Sequence, residues 1–284
     1  YGLIISLFLR KKIFVSIQSD ILELIKSKNF TSKKGLVKFG LLIWLKLYLI
    51  CENLLVRNVL CFPQGKKLFD RFKNNKKAIL WYSTAINNNF IRNDDKDFSD
   101  NQLRVLNIGR FCNQKNQKLL IQSINHLTNT SEINLKCSIC GKKDNRIYLE
   151  IKDYINKNSL TNLIKILNTR KSTNDLIEVY DDNHIFILTS LWEGTPKVIA
   201  EALARGLIVI CPDLGGLKDI VIDSYNGFVF TEYSIECLSE KIKQIYALSL
   251  REKNLISKKA IETSKLFSYE SQKNILLNGI NKYI

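Results

Sequence analysis

Two glutamates eight positions apart, Glu193 and Glu201, and two cations five apart, Arg110 and Lys115, are the side chains whose types and spacing could do chemistry. Paired carboxylates can act as the acid and base of glycosidic-bond hydrolysis, provided one has a raised pKa and their separation suits the attacking group. Plainer readings compete. Glu201 could pair with Arg205 one helical turn on, worth roughly a few tenths of a kcal/mol, and Glu193 could complement the dipole at a helix start. Arg110 and Lys115 taken singly are surface charges by default. Cys137-x-x-Cys140 invites zinc or redox chemistry, but no second pair stands at ligand spacing and Cys137 falls within an expected strand over 133–139, so no metal is expected.

The elements that must position these residues follow from the local pattern. Residues 185–188 are a short apolar run rich in strand formers, broken by small and polar residues at 190–194. Thr195 is expected as N-cap of a helix with Pro196 at its first position, and Val198, Ile199, Ala202 and Leu203 recur at helical spacing until Gly206 closes it. A second strand is expected over 207–210, then the Gly215-Gly216 loop and a short helix from Leu217. Residues 103–108 read as another strand, with Gly109-Arg110 at its end and Lys115 just before a helix over 118–126. Further strands are expected over 13–17, 59–62, 78–81 and 135–141, with helices over 66–72, 175–180 and 235–246. The class is α/β, in which ligands sit beyond the carboxyl ends of the strands.

Ser190, Glu193-Gly194, Pro196, Glu201-Ala202, Ala204, Gly206, Gly215-Gly216 and Asp219 together resemble the donor-site signature of glycosyltransferase family four, the retaining glycosyl transferases of group 1. The resemblance implies a GT-B fold, two Rossmann-like domains facing a cleft, and a metal-independent hexosyltransferase using a UDP- or GDP-sugar with no cofactor. It implies that Glu201 holds the ribose hydroxyls, and that Glu193 with Gly194, Thr195 and the Gly215-Gly216 loop meets the donor. The family's Gly-Arg followed by Lys five residues later matches Gly109, Arg110 and Lys115. A guanidinium fork plus an ammonium can neutralise a departing diphosphate without a metal. Glu193, Arg110 and Lys115 thus become the candidate catalytic residues, and neither Arg110 nor Glu201 is expected to be a core residue. The implied acceptor is a glycan or lipid-linked hydroxyl in cell-surface polysaccharide or glycolipid biosynthesis, such as lipopolysaccharide or capsule. A nucleotide-sugar epimerase on the same scaffold, a glycosidase and a non-catalytic basic membrane-binding module stay open as alternatives.

The resemblance covers residues 103–284 well and 11–86 loosely. The expected organisation is a partial acceptor-side domain over 1–86, an Asn- and Asp-rich linker over 87–101, a donor-binding domain over 102–265, and a terminal segment over 266–284 returning toward the first domain. The first domain is shorter than the family's, and the chain starts at Tyr1 and contains no Met, so an N-terminally incomplete fragment is expected. Asp20, at the end of the first strand, is an acceptor-side candidate or a helix cap. Relatives carry a His in that region, yet the only histidines are His126 and His184.

Charge is lopsided: the chain carries +16, and its first hundred residues hold 18 basic against 8 acidic side chains. No paired-Cys finger, heptad-bearing basic region or Gly-aromatic RNA motif accompanies this, so nucleic acid is not an expected partner. Lys33, Lys34, Lys38, Lys46 and Arg57 stand among Phe39, Trp44, Leu47 and Tyr48, which suits either a helix on an anionic membrane surface or a core helix with solvated lysines. The longest apolar stretch, residues 39–51, is broken by Lys46, so no segment is expected to cross a bilayer. Seven cysteines, an odd number, and no secretory signal point to the cytoplasm, with peripheral attachment to the inner membrane face as the membrane-bound version.

Overall fold

The computed structural model describes residues 14–17, 35–82, 86–143, 145–169, 172–194, 196–217 and 219–284, apart from the side chain of Leu36. Asp20 and Thr195 lie outside the described residues. The chain divides into two compact units, Tyr1–Ser83 with Gln272–Ile284, and Thr84–Ser271.

In the first unit, β1 (Phe14–Ile17) and β2 (Leu60–Pro63) pair in parallel, with Phe14 opposite Leu60. Between them runs α1 (Gly35–Val56), and after them α2 (Lys66–Arg71). Ile17, Val56, Cys61, Leu68 and Phe72 form a small core. The buried Asn75 amide ties the end of α1 to β2 by donating to the Val56 and Val59 carbonyls at 2.7 and 2.8 Å. The strand expected over 78–81 is reduced to isolated parallel bridges from Ala78 to Cys61 and from Trp81 to Gln64.

Helix α1 corrects one expectation. Its residues Val37–Val56 are long and apolar enough, by length and composition, to cross a membrane. Phe39, Ile43, Trp44, Leu47, Ile50 and Leu54 are exposed, while Leu45 and Val56 are buried. Reading for an uninterrupted apolar run stopped at Lys46, but a lysine can lay its stem along apolar surface, so the helix rather than the run is the unit to count.

The second unit is built on β3 (Leu103–Ile108), β4 (Leu135–Cys140), β5 (Ile164–Leu167), β6 (Ile185–Ile187), β7 (Ile208–Pro212) and β8 (Gly227–Phe230), a parallel sheet in the order β5-β4-β3-β6-β7-β8. Helices α3 (Gln117–Thr130), α4 (Arg146–Lys157), α5 (Thr173–Asp181), α6 (Lys197–Ala204), α7 (Ile235–Ala247) and α8 (Leu250–Lys265) connect and follow the strands. The inner strands β6 and β7 are buried throughout, as parallel strands covered on both faces must be, whereas in the edge strand β5 only Ile164 is buried. Val105, Ile185, Ile187, Ile208 and Ile210 meet Leu120, Ile124, Leu238 and Ile242 in one core.

Several boundaries differ from expectation. Helix α6 starts at Lys197, with Pro196 in an extended conformation before it. At its other end Gly206 adopts a left-handed φ of +73°, and the N–H groups of Gly206 and Leu207 donate to the Leu203 and Ala202 carbonyls at 3.0 Å each, closing a Schellman turn. The helix expected from Leu217 is a single turn, in which Val221 N–H reaches the Leu217 carbonyl at 2.7 Å.

The stretch expected as a linker packs on the second unit. Phe90, Ile91, Lys96 and Phe98 are buried. The Lys96 ammonium donates to the carbonyls of Tyr180 at 3.0 Å and Asp181 at 2.7 Å, capping the end of α5, and burial pushes its pKa down to about 7. Composition missed this because asparagine- and aspartate-rich turns can order themselves: Asn87, Asp97 and Asp100 each accept a bond from a backbone N–H two or three residues on.

The last helix, α9 (Tyr269–Tyr283), passes into the first unit at Gln272. Its Gly279 lies so close to Ile79 and Phe62 that a Cβ would stand 2.6 Å from Ile79 Cδ1. Only glycine permits that approach.

Candidate functional site

The loops at the carboxyl ends of β3 and β6 are neighbours because those strands are neighbours, with Val105 opposite Ile185. The end of β3 is packed tightly enough that a Cβ on Gly141, at the end of β4, would fall 2.4 Å from the Gly109 carbonyl oxygen. Gly109 N–H continues the β3–β4 ladder by donating to the Cys140 carbonyl at 3.0 Å. The side-chain stem of Lys115 lies over Gly109, at 3.4 Å from where its Cβ would be.

Four hydrogen bonds stitch the two loops together. Thr189 Oγ1 donates to the Lys115 carbonyl at 2.8 Å, Leu191 N–H to the Gln114 carbonyl at 2.8 Å, and Gln114 Nε2 to the Trp192 carbonyl at 2.9 Å. The fourth joins side chains: Lys115 Nζ to Glu193 Oε1 at 2.5 Å, with only 16% and 9% of the two side chains exposed. Residues 78 positions apart in the chain thus form one ion pair. The dipole reading of Glu193 gives way to this pairing.

Arg110 is placed differently. Its carbonyl accepts from the buried Gln117 Nε2 at 2.8 Å, which fixes the loop and leaves the guanidinium exposed. Gly194 and Gly216 approach each other, a Cβ on Gly216 standing 3.0 Å from the Gly194 oxygen, so the loops after β6 and β7 also meet. Gly215 is exposed at the same turn.

Glu201 corrects one expectation and sets aside its plainer reading. It is 5% exposed, so it is a core residue. Nor does it pair with Arg205, whose Nε and Nη2 grip Asp181 at 2.9 and 2.6 Å while Nη1 donates to the Phe90 carbonyl at 3.0 Å. Glu201 Oε2 instead accepts from the Tyr180 hydroxyl at 2.9 Å, and Oε1 faces Lys197 Nζ at 3.4 Å. Among the described residues, Glu201 and the Lys115–Glu193 pair form separate ion pairs.

Sequence reasoning did not single out Tyr180, Tyr233, Gln117 or Ser190's surroundings. The Tyr233 hydroxyl donates to the Ser190 carbonyl at 2.7 Å, and burial, with Cys211 and Glu193 nearby, pushes its pKa up to about 12. Ser190 Oγ, Asn107 Oδ1 and Gln117 Oε1 are buried without a partner among the described residues. Buried polar atoms are normally satisfied; Asn107 lies on β3, Gln117 opens α3 two residues after Lys115, and Ser190 lies in the loop after β6, three residues before Glu193. A lone buried serine or glutamine carries no signal in sequence, because its burial is set by the sheet.

Elsewhere the chemistry recedes. Cys137 and Cys140 are buried thiols inside β4, and the Cys140 thiol donates to the Asn168 carbonyl at 3.0 Å. Among the described residues no group of three or more His, Cys, Asp and Glu side chains could hold a metal ion. His184 sits at the amino end of β6, away from the loops above; burial and the Arg104 guanidinium, 2.7 Å from its Nε2, push its pKa down to about 4.

The chain is 29% identical over 223 residues to an uncharacterized glycosyltransferase of Methanocaldococcus jannaschii, a match covering 78% of this chain and 56% of that protein. It is 28% identical over 88 residues, 28% of this chain and 23% of the relative, to the UDP-Gal:alpha-D-GlcNAc-diphosphoundecaprenol alpha-1,3-galactosyltransferase of Escherichia coli. This chain therefore spans little more than half of the first of these relatives and less of the second. Among solved structures, Anabaena HepE in complex with UDP superposes with a TM-score of 0.76 at 17% identity, covering 99% of this chain and 75% of HepE. The α/β fold with parallel sheets matches GT-B glycosyltransferase structures. The model for glycosyl transferases group 1 matches residues 90–262, more than half of the chain, and the chain belongs to that family.

Proposed function

We propose that this chain carries the donor site of a retaining glycosyltransferase that moves a sugar from a UDP- or GDP-sugar to a hydroxyl acceptor without a metal. The observation that carries the reading is the Lys115–Glu193 pair, held where the β3 and β6 loops converge beside Arg110 and ahead of the helix that bears Glu201. Arg110 and Lys115 stabilise the charge that develops on the leaving diphosphate. Glu193, with the Gly194 and Thr195 amides and the Gly215-Gly216 loop, orients the sugar, and Glu201 accepts from the ribose hydroxyls. The UDP bound to HepE supports a uridine nucleotide in particular. Calorimetric titration with UDP, GDP, ADP and their common sugar conjugates tests the reading. One nucleotide is expected to bind in a single site; no binding by any of them removes the donor-site assignment for this chain.

We propose further that the acceptor is presented at a lipid surface, in cell-surface polysaccharide or glycolipid biosynthesis, with the protein peripheral to the cytoplasmic face of the membrane. The support is α1, whose exposed apolar residues run alongside Lys38 and Lys46, with Arg57 just beyond it. The galactosyltransferase relative, whose acceptor is diphosphoundecaprenol-linked, agrees with a lipid-linked hydroxyl. The chain is expected to sediment with vesicles containing phosphatidylglycerol, and a Trp44→Ser, Leu47→Ser variant to stay in the supernatant. Wild-type chain that remains soluble beside such vesicles disposes of the lipid surface.

A further inference from the structure

The two oxygens of Glu201 are not equivalent. Oε2 accepts a 2.9 Å bond from the hydroxyl of Tyr180, which is fully buried, and Oε1 faces Lys197, whose side chain is 57% exposed, at the looser distance of 3.4 Å. The phenol is itself clamped. Its ring meets Phe90 edge-on at 6.0 Å and Phe186 at 6.1 Å, and its oxygen lies 3.4 Å from the Val198 carbonyl, too long to compete for the proton. Burial and the adjoining Glu201 carboxylate push the phenol's pKa well above its ordinary value, so the group stays a donor.

A glutamate free to rotate about three bonds is a poor instrument for recognising a vicinal diol, because the ligand must pay to immobilise it. One oxygen tied from inside the protein removes that freedom and leaves the other presented. Tyr180 supplies the tie from a second helix, α5. Lys197, one helical turn before Glu201 and mostly in water, occupies the other oxygen only weakly, as exposed pairs do.

We propose that Tyr180 is a positioning residue for ribose recognition: it fixes Glu201 through Oε2 so that Oε1 exchanges Lys197 for the ribose hydroxyls of the donor. This rests on the donor-site reading of Glu201 above. It makes Tyr180 a determinant of the preference for ribonucleotides although it touches no ligand.

The test compares UDP and GDP with their 2′,3′-dideoxy counterparts by calorimetry, on wild type, Tyr180→Phe, Glu201→Gln and the double variant. Phenylalanine keeps the ring contacts with Phe90 and Phe186 and removes only the hydroxyl. Tyr180→Phe is expected to weaken ribonucleotide binding about tenfold, the scale of one hydrogen bond to a charged group, while dideoxynucleotide affinity stays within twofold. In the Glu201→Gln background the same substitution should add less than twofold, because the carboxylate it serves is gone. A general loss of folding would lower both ligands equally, so the ratio is the readout. Discrimination lost in Glu201→Gln but intact in Tyr180→Phe overturns the role of Tyr180 and leaves the donor site standing. Wild-type chain that binds both forms equally, with Glu201→Gln unchanged, overturns the donor-site reading and this inference with it.

Discussion

Lys115→Met is expected to lower sugar transfer by roughly two to three orders of magnitude, the usual cost of deleting one preorganised group that meets charge developing in the transition state. Lys115 is singled out over Arg110 by its surroundings. Its stem lies over Gly109, its carbonyl is held by Thr189, and its ammonium is largely withdrawn from water against Glu193. Under the proposed transfer, a charge held this way is already in place for the departing diphosphate, and low exposure keeps it unscreened. The Arg110 guanidinium is exposed, so Arg110→Ala should cost less. Methionine keeps the packing of the stem and deletes the charge.

Lys115→Met also strands Glu193, and the double variant Lys115→Met, Glu193→Gln separates the two causes. If the stranded carboxylate were responsible, the double variant would recover most of the loss; the expectation is that it does not. The measurement is kcat/KM for transfer beside nucleotide affinity by calorimetry. A Lys115→Met enzyme within threefold of wild type would remove Lys115 from the leaving-group role.

The largest stability effect is expected at a residue with no proposed role in chemistry. Asp181 accepts from Arg205 at 2.9 and 2.6 Å and from Arg92 at 3.2 Å, and its carbonyl accepts from the buried Lys96. Asp181→Ala leaves Arg92 and Arg205 without their shared carboxylate, and Arg205 is buried. Removing one partner from a buried charge network costs about 3–5 kcal/mol, and the 30% exposure of Asp181 places the expectation near the lower end, about 3 kcal/mol. The urea midpoint should fall with an unchanged slope, and Asp181→Ala with Arg205→Met should regain part of the loss. A drop below about 1 kcal/mol would mean that water relieves the cations as well as Asp181 does.

The same network marks where sequence stopped being legible. Helical spacing put Arg205 one turn beyond Glu201 and suggested that they pair, but a side chain at a helix end chooses among every acceptor within reach. Asp181 on α5 offers both oxygens to the guanidinium fork, which a neighbour on the same helix does not. That contact links residues 24 positions apart, which no periodicity reports. Tyr180 was invisible for a related reason: its hydroxyl matters only because α5 lies beside α6.

Local rules did better where the backbone decides. The strand over 103–108 stands where apolar patterning puts it, and Gly206 ends α6 because only a residue tolerant of left-handed backbone can close that turn. The approach of Glu193 to Lys115 was legible only in the sense that both followed strands. Their meeting depends on β6 lying next to β3, an order set by the whole sheet.

That strand order also governs how the protein comes into being. Of the strands in the second unit, β3, β4 and β5 emerge first during synthesis and can pair among themselves, but the other edge of β3 has no partner until β6 arrives, 80 positions after Val105 in the register. An unpaired edge is a template for the wrong strand, and closing so long a loop is slow. The loops after β3 and β6 therefore acquire their geometry late, at the step that also covers the exposed edge, so a nascent chain stalled before residue 185 lacks the Lys115–Glu193 pair and keeps an open strand edge.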